Sequence, residues 1–169
     1  LSELIQVKAL SPSFDPDWKL RGELHETIDI FERWAMEQDV SGIQTHKFEL
    51  DGLTPLLIIK VEGSGPGEVL FYSHLDKQPS RPELWSDGLS PLNAVRRDPW
   101  LYGRGSVDDG YGGYLCLSAI KALQDHNQNH PSVTFLIETC EESGSYDLPH
   151  YLDHCSKYLG SPDLVVVMD

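Results

Sequence analysis

The chain has 169 residues, 40% of them hydrophobic, which is enough for one buried core and suggests a single domain. Its 27 acidic residues against 13 basic ones give a formal charge of −14, which argues against nucleic acid or an anionic membrane as a partner. No stretch approaches the roughly 20 apolar residues of a membrane span, and no amino-terminal signal pattern is visible. The three cysteines lack CxxC spacing, which disfavours Cys-based zinc ligation and favours a reducing, cytoplasmic location.

In chain order, helical periodicity alternates with short apolar runs. Residues 1–21 contain two X-Pro stretches and are expected to be irregular after a short helical start. Residues 77–102 are rich in Pro and Trp without a clear period, so we predict a long functional loop there. Strands are predicted over 43–50, 56–61, 69–73, 133–138 and 164–168, and helices over 22–38, 110–126 and 148–158.

Strands that alternate with helices predict an α/β fold with three layers, in which helices cover both faces of a mostly parallel sheet. Three acidic clusters follow apolar runs in this pattern. They are Ser73-His74-Leu75-Asp76, Gly103–Gly110 with Asp108 and Asp109, and Glu141–Ser145. A fourth run, 164–168, ends on Asp169. Because the carboxyl ends of parallel strands converge on ligands, these side chains predict a divalent metal site with zinc as the first choice.

Each cluster alone has a simpler interpretation. His74 and Asp76 could form a hydrogen-bonded pair without a metal, Asp108-Asp109 could cap the next helix, and Glu141-Glu142 could be a solvated pair. His150 and His154 are four apart on a predicted helix, but no Glu stands beside the first, so we expect a solvent-facing helix. Trp85 and Trp100 could line a substrate pocket or pack a loop, and Cys140 is expected to be a buried structural thiol.

Together, the motifs resemble the co-catalytic zinc peptidase and amidase family, which includes carnosinase, carboxypeptidase G, aminoacylase, acetylornithine deacetylase and succinyl-diaminopimelate desuccinylase. The resemblance spans about 69–169 and depends on His-Leu-Asp after a strand, Leu-Tyr-Gly-Arg-Gly-x-x-Asp-Asp-Gly, and Glu-Glu-x-Gly-Ser, in that order. The segment around Trp85, Pro91 and 97–102 also resembles the family's lead-in to Gly-Arg-Gly. One departure is Gly110-Tyr111-Gly112, where the family usually has Lys-Gly after the acidic pair.

The resemblance implies a role for each of six residues. His74 and Asp169 would bind one zinc ion and Glu142 a second, with Asp108 bridging them; cobalt or manganese could replace zinc. Glu141 would be the general base for a metal-bridged water, and Asp76 would orient His74. The resemblance also implies a cis peptide bond between Asp108 and Asp109.

The implied reaction is metal-dependent hydrolysis of a peptide or N-acyl amino-acid amide bond, with a small substrate of that class. The alternative hypothesis is a non-catalytic homologue that serves as a binding domain, which retention of Glu141 and Glu142 argues against. A metal-free esterase lacks support because no Gly-x-Ser-x-Gly motif is present.

Residues 1–169 are expected to form the amino-terminal portion of a single catalytic domain in a longer protein. The family's last metal ligand, a downstream histidine, and its dimerisation and lid domain would then lie beyond Asp169. We therefore expect these residues alone to be inactive, and a homodimer is possible only for the full-length protein.

Overall fold

The computed structural model describes residues 1–169 without a gap and shows a five-stranded sheet between two layers of helices. The strands of this sheet are β1 (Ile43–Phe48), β2 (Leu56–Val61), β3 (Glu68–His74), β6 (Ser132–Glu138) and β7 (Leu164–Val167). The helices are α1 (Ser2–Gln6), α2 (Trp18–Arg21), α3 (Glu23–Met36), α4 (Tyr111–Asp125), α5 (Leu148–His154) and α6 (Ser156–Leu159). None of these helices is long and apolar enough to span a membrane.

The strand order is β1-β2-β6-β3-β7, and only β2 runs against the other four strands. The Asp51-Gly52 turn reverses the chain between β1 and β2, with Gly52 at a positive φ of 78°. Four strands of one direction confirm the mostly parallel α/β fold. Strands β6, β3 and β7 are neighbours in the sheet, so their carboxyl ends lie side by side.

Two hydrophobic clusters fill the space between the sheet and the helices on its two faces. The larger cluster lies between one sheet face and helices α1, α3 and α4, and it includes Phe31, Leu117 and Phe135. Helix α3 belongs to this cluster because Leu24, Ile28, Phe31 and Ala35 recur at helical spacing. The smaller cluster places Tyr151 and Cys155 of the α5–α6 region against Ile58 and Leu136 on the opposite face.

Three details differ from the sequence prediction. The 77–102 segment is not structureless, since it contains a 3₁₀ turn (Pro82–Leu84) and a hairpin of β4 (Val95–Arg97) and β5 (Trp100–Tyr102). Strands of three residues are too short to show a period in sequence. The predicted 148–158 helix is divided at Cys155, and α2 was not predicted.

The last strand also has a different environment from the one its sequence suggested. Its run of apolar residues is typical of a buried strand, yet Leu164, Val165 and Val167 are exposed. Strand β7 pairs with β3 alone, so it forms an edge of the sheet. Apolar composition indicates a strand here, but exposure depends on which neighbours cover it.

Candidate metal centre

Three of the predicted ligands meet at the carboxyl ends of the parallel strands. His74 ends β3, and its Nε2 lies 3.3 Å from Oδ1 of Asp108 and 3.9 Å from Oδ1 of Asp169. One ligand atom from each of these three residues lies within 4.8 Å of the others. Residues that are 34 and 61 positions apart along the chain are therefore close enough to share an ion.

Asp76 fixes the orientation of His74 through contacts with its Nδ1. Its Nδ1 lies 3.1 Å from the backbone oxygen of Asp76 and 3.4 Å from the Oδ1 of the same residue, and both side chains are fully buried. This contact directs Nε2 toward the acidic cluster, and Nε2 is buried without a hydrogen-bond partner. Burial opposes a charged imidazole, but a hydrogen bond to Asp76 and the negative charges of Asp76, Asp109 and Glu141 raise the pKa of His74 to about 9.

Asp76 has a second role that the sequence did not reveal. Its Oδ1 accepts the backbone N–H of Glu141 at 3.2 Å, and its Oδ2 accepts that of Glu142 at 3.0 Å. These two residues begin the 3₁₀ turn Glu141–Ser143, whose first N–H groups have no partner within the turn. One carboxylate therefore holds both the predicted histidine ligand and the turn with the predicted base.

The resemblance assigned no metal-binding role to Asp109, but this residue contacts the backbone of His74. It is buried, and its Oδ2 accepts the backbone N–H of His74 at 3.1 Å. Burial raises the pKa of the Asp109 carboxyl. The peptide bond between Asp108 and Asp109 is cis, as the resemblance implied.

Glu141 lies beside the three-residue cluster. Its Oε2 is 3.8 Å from Nε2 of His74, and its side chain is 29% exposed, so water can reach it. Burial raises the pKa of this carboxyl, and the charges of Asp169, Glu142 and Asp76 act in the same direction although His74 opposes them. A carboxyl with a raised pKa beside this acidic cluster can accept and return a proton.

Glu142 is not part of the three-residue cluster, and its role as a ligand stays a prediction. Gln78 donates a hydrogen bond to its Oε2, and Arg104 Nη2 lies 3.8 Å from its Oε1. That Oε1 atom is buried without a hydrogen-bond partner. Burial raises the pKa of Glu142, with the nearby Asp108 charge contributing. No sequence pattern predicted the contact between Gln78 and Glu142.

The donor set fits divalent zinc. It offers one neutral-capable imidazole nitrogen and several carboxylate oxygens, the ligand types that zinc takes in hydrolytic sites. Two buried atoms without partners, Nε2 of His74 and Oε1 of Glu142, are the kind of atoms that a bound cation would satisfy. A metal pair would also offset the repulsion among these carboxylates.

The other residues considered from sequence divide clearly. Trp85 lines a cavity of about 150 Å³ together with Arg104 and Asp108, so one of the two tryptophans lies beside the site. Trp100 is 65% exposed on the hairpin. His150 and His154 face solvent and Cys140 is fully buried, both as predicted.

Known proteins resemble this chain over two thirds of its length or more. Human Beta-Ala-His dipeptidase is 33% identical over 120 residues, which cover 68% of this chain and 23% of that protein. A succinyl-diaminopimelate desuccinylase from Bradyrhizobium sp. (strain BTAi1) is 33% identical over 147 residues, covering 76% of this chain and 37% of the enzyme. The cysteinylglycine-S-conjugate dipeptidase of Corynebacterium striatum is 26% identical over 170 residues, covering 100% of this chain and 36% of that protein. The chain thus spans less than two fifths of the length of these relatives.

Solved structures support the fold. Human carnosine dipeptidase 1 superposes with a TM-score of 0.77 at 24% identity, covering 98% of this chain and 36% of that one. The metallo-carboxypeptidase Sso-CP2 from Sulfolobus solfataricus gives a TM-score of 0.82 at 24% identity, covering 98% and 35%. The model of Peptidase family M20/M25/M40 matches residues 70–168, which contain every predicted site residue except Asp169. The chain therefore belongs to Peptidase family M20/M25/M40.

Proposed function

We propose that the protein hydrolyses a peptide or N-acyl amino-acid amide bond with two divalent metal ions, zinc in the first instance. The observation that carries this proposal is the convergence of His74, Asp108 and Asp169 with Glu141 beside them. The relatives, two dipeptidases and a desuccinylase, support a small amino-acid-containing substrate.

The proposed ligand set assigns His74 and Asp169 to one ion, Glu142 to the other and Asp108 between them. Two ions held in this way would polarise the scissile carbonyl and lower the pKa of a water molecule toward about 7. Gln78 would hold Glu142 in place through a hydrogen bond to its Oε2. Asp109 would fix the backbone of His74 without binding a metal itself.

In the proposed mechanism Glu141 moves the protons. It accepts a proton from the attacking water, and after the tetrahedral intermediate has formed it returns that proton to the leaving amine. The 3.8 Å separation between Oε2 of Glu141 and Nε2 of His74 supports this role for Glu141. Asp76 supports both steps because it orients His74 and fixes the backbone of Glu141.

The experiment is a metal-dependence assay of the complete protein on a panel of dipeptides and N-acyl amino acids. Chelation should abolish hydrolysis, and zinc, cobalt or manganese should restore it. The variant His74→Ala should lose bound metal and activity, whereas His150→Ala, which removes an exposed histidine, should behave as wild type. Hydrolysis that persists after chelation, or in His74→Ala, would refute the proposal.

A further inference from the structure

The turn that bears Glu141 and Glu142 is held by two serines that have no part in the predicted chemistry. Ser143 is the last residue of the turn Glu141–Ser143, and Ser145 lies two residues beyond it. Gly144 and Ser145 both have positive φ, at 93° and 52°. A non-glycine residue in this conformation has little intrinsic preference for it, so contacts outside the turn must fix its shape.

Ser143 connects the turn to the amino-terminal segment. Its Oγ lies 2.6 Å from Oγ of Ser11, and it accepts the backbone N–H of Ser13 at 2.9 Å. Ser11 is fully buried and stands 132 positions away in the sequence. The contact therefore joins two distant parts of the chain directly beside the predicted base.

Lys77 anchors the amino-terminal segment through backbone and side-chain hydrogen bonds. Its backbone N–H donates to the oxygen of Ala9 at 2.9 Å, and its own carbonyl accepts the N–H of Ser11 at 3.0 Å. Its buried Nζ donates to the backbone oxygens of Leu4 at 2.8 Å and Val7 at 2.6 Å. Because Lys77 follows Asp76, Ser11 is anchored to the same stretch of chain that orients His74.

Ser145 connects the segment that follows the turn to Glu138. Its Oγ donates to Oε1 of Glu138 at 2.8 Å, and the hydroxyl of Tyr72 donates to the same oxygen. Glu138 is only 2% exposed and lies opposite His74 in the β3–β6 ladder. A buried carboxyl with two hydroxyl donors is costly to disrupt, which makes it a firm anchor.

We infer that Ser143 and Ser145 are positioning residues, which hold Glu141 and Glu142 against the metal cluster through Ser11 and Glu138. The inference rests on the proposed function, because it assigns the two serines to the same hydrolytic site. Asp76 binds the start of the turn, Ser11 binds Ser143 at its end, and Glu138 binds Ser145 two residues beyond it. Loss of either serine contact should let the base shift while the metal ligands outside the turn stay in place.

The test uses Ser143→Ala, Glu138→Leu and Glu138→Gln in the complete protein. The first two remove a contact, whereas the amide oxygen of Gln can still accept from Tyr72 and Ser145. The matched control is Ser64→Ala, which removes the hydroxyl that donates to Asn129 in an exposed loop. Two readouts are needed: steady-state kinetics, and hydrogen exchange of the backbone amides of residues 140–146.

A displacement of the base on the order of 1 Å can cost up to about a hundredfold in rate, so kcat should fall about 10- to 100-fold in Ser143→Ala and Glu138→Leu. KM should change by less than about threefold, because substrate binding does not depend on the base. Glu138→Gln should recover most of the lost kcat. Exchange of amides 140–146 should accelerate only in the two disrupting variants.

Unchanged exchange in Ser143→Ala and Glu138→Leu would overturn the inference whether or not the protein is active. Equal falls in activity for Glu138→Leu and Glu138→Gln would also overturn it, since they would indicate general damage to the fold. Additive effects of Ser11→Ala and Ser143→Ala in a double-mutant cycle would overturn it as well, because they would show that the two residues are not coupled. A protein that binds no metal and hydrolyses nothing would instead refute the proposed function.

Discussion

The carboxylate of Asp76 accepts the backbone N–H of Glu141 at 3.2 Å while its Oδ1 also lies 3.4 Å from Nδ1 of His74. One buried side chain thus contacts both the predicted metal ligand and the backbone of the predicted base. The substitution Asp76→Asn keeps the size but removes the charge and places an amide N–H₂ near donors. We expect zinc affinity to fall about 10- to 100-fold, as with other residues that support metal-binding histidines.

Competition with a fluorescent zinc chelator measures this affinity. Asp163→Asn is a suitable control, because Asp163 accepts a backbone N–H from Glu68 in an exposed region at the other end of the sheet. Zinc affinity within twofold of wild type in Asp76→Asn would show that Asp76 does not orient His74.

Glu141→Gln should separate catalysis from metal binding. The amide has nearly the same shape as the carboxylate but cannot accept the proton of the attacking water. We expect turnover to fall by a factor of about 100 to 10,000, the usual contribution of a general base, while the zinc content stays at the wild-type value. Paired activity assays and elemental analysis provide the measurement. Full activity in this variant would remove Glu141 from its assigned role.

Zinc affinity should rise with pH. In the metal-free protein the pKa of His74 is raised to about 9, so at neutral pH zinc must displace a proton from the imidazole. Between pH 6 and 8 one displaced proton would lower the apparent dissociation constant about tenfold per pH unit. Isothermal titration in two buffers of different ionisation enthalpy counts the released protons. A dissociation constant that does not depend on pH over this interval would contradict the assignment of His74 as a ligand.

Helix α4 approaches α3 through a glycine. A Cβ added to Gly113 would lie 2.6 Å from Cζ of the buried Phe31, so an alanine there must displace an aromatic ring of the core. Overpacking of this kind costs about 1–3 kcal/mol, against a gain of up to about 1 kcal/mol in helix propensity. We therefore expect Gly113→Ala to destabilise the protein in denaturant unfolding. Ser118→Ala, on the exposed face of the same helix, should be neutral or slightly stabilising.

If Gly113→Ala proves more stable than wild type, the close α3–α4 contact is wrong. The second substitution Phe31→Leu offers a further check. A smaller side chain at that position should reduce the cost of Gly113→Ala, because the two residues share the same space.

Local sequence patterns account for the long elements of the fold. Helix α3 follows from apolar residues at helical spacing, and β2 and β6 follow from continuous apolar runs. The last apolar run likewise predicted β7, which pairs with β3. The β4–β5 hairpin could not be predicted, since three-residue strands carry no measurable period.

The site divides in the same way. The motifs identified His74, Asp108, Glu141 and Asp169, because the chemistry needs those residue types after strand ends. They assigned a ligand role to Asp108 but none to Asp109, whose burial and contact with the His74 backbone depend on the three-dimensional fold.

Glu138 did carry a signal in sequence. It is a charged residue at the end of a buried apolar strand, where an ionisable group needs partners. Lys77 and Gln78 carried none, because the contacts that define them come from segments distant in sequence.

Anomalous diffraction at the zinc edge, from crystals of the zinc-loaded protein, tests the metal site most directly. We predict two peaks about 3.5–4 Å apart, with His74 and Asp169 bound to one, Glu142 to the other, and Asp108 bridging both. Crystals that bind zinc with no peak within coordination distance of His74 and Asp108 would contradict the assignment.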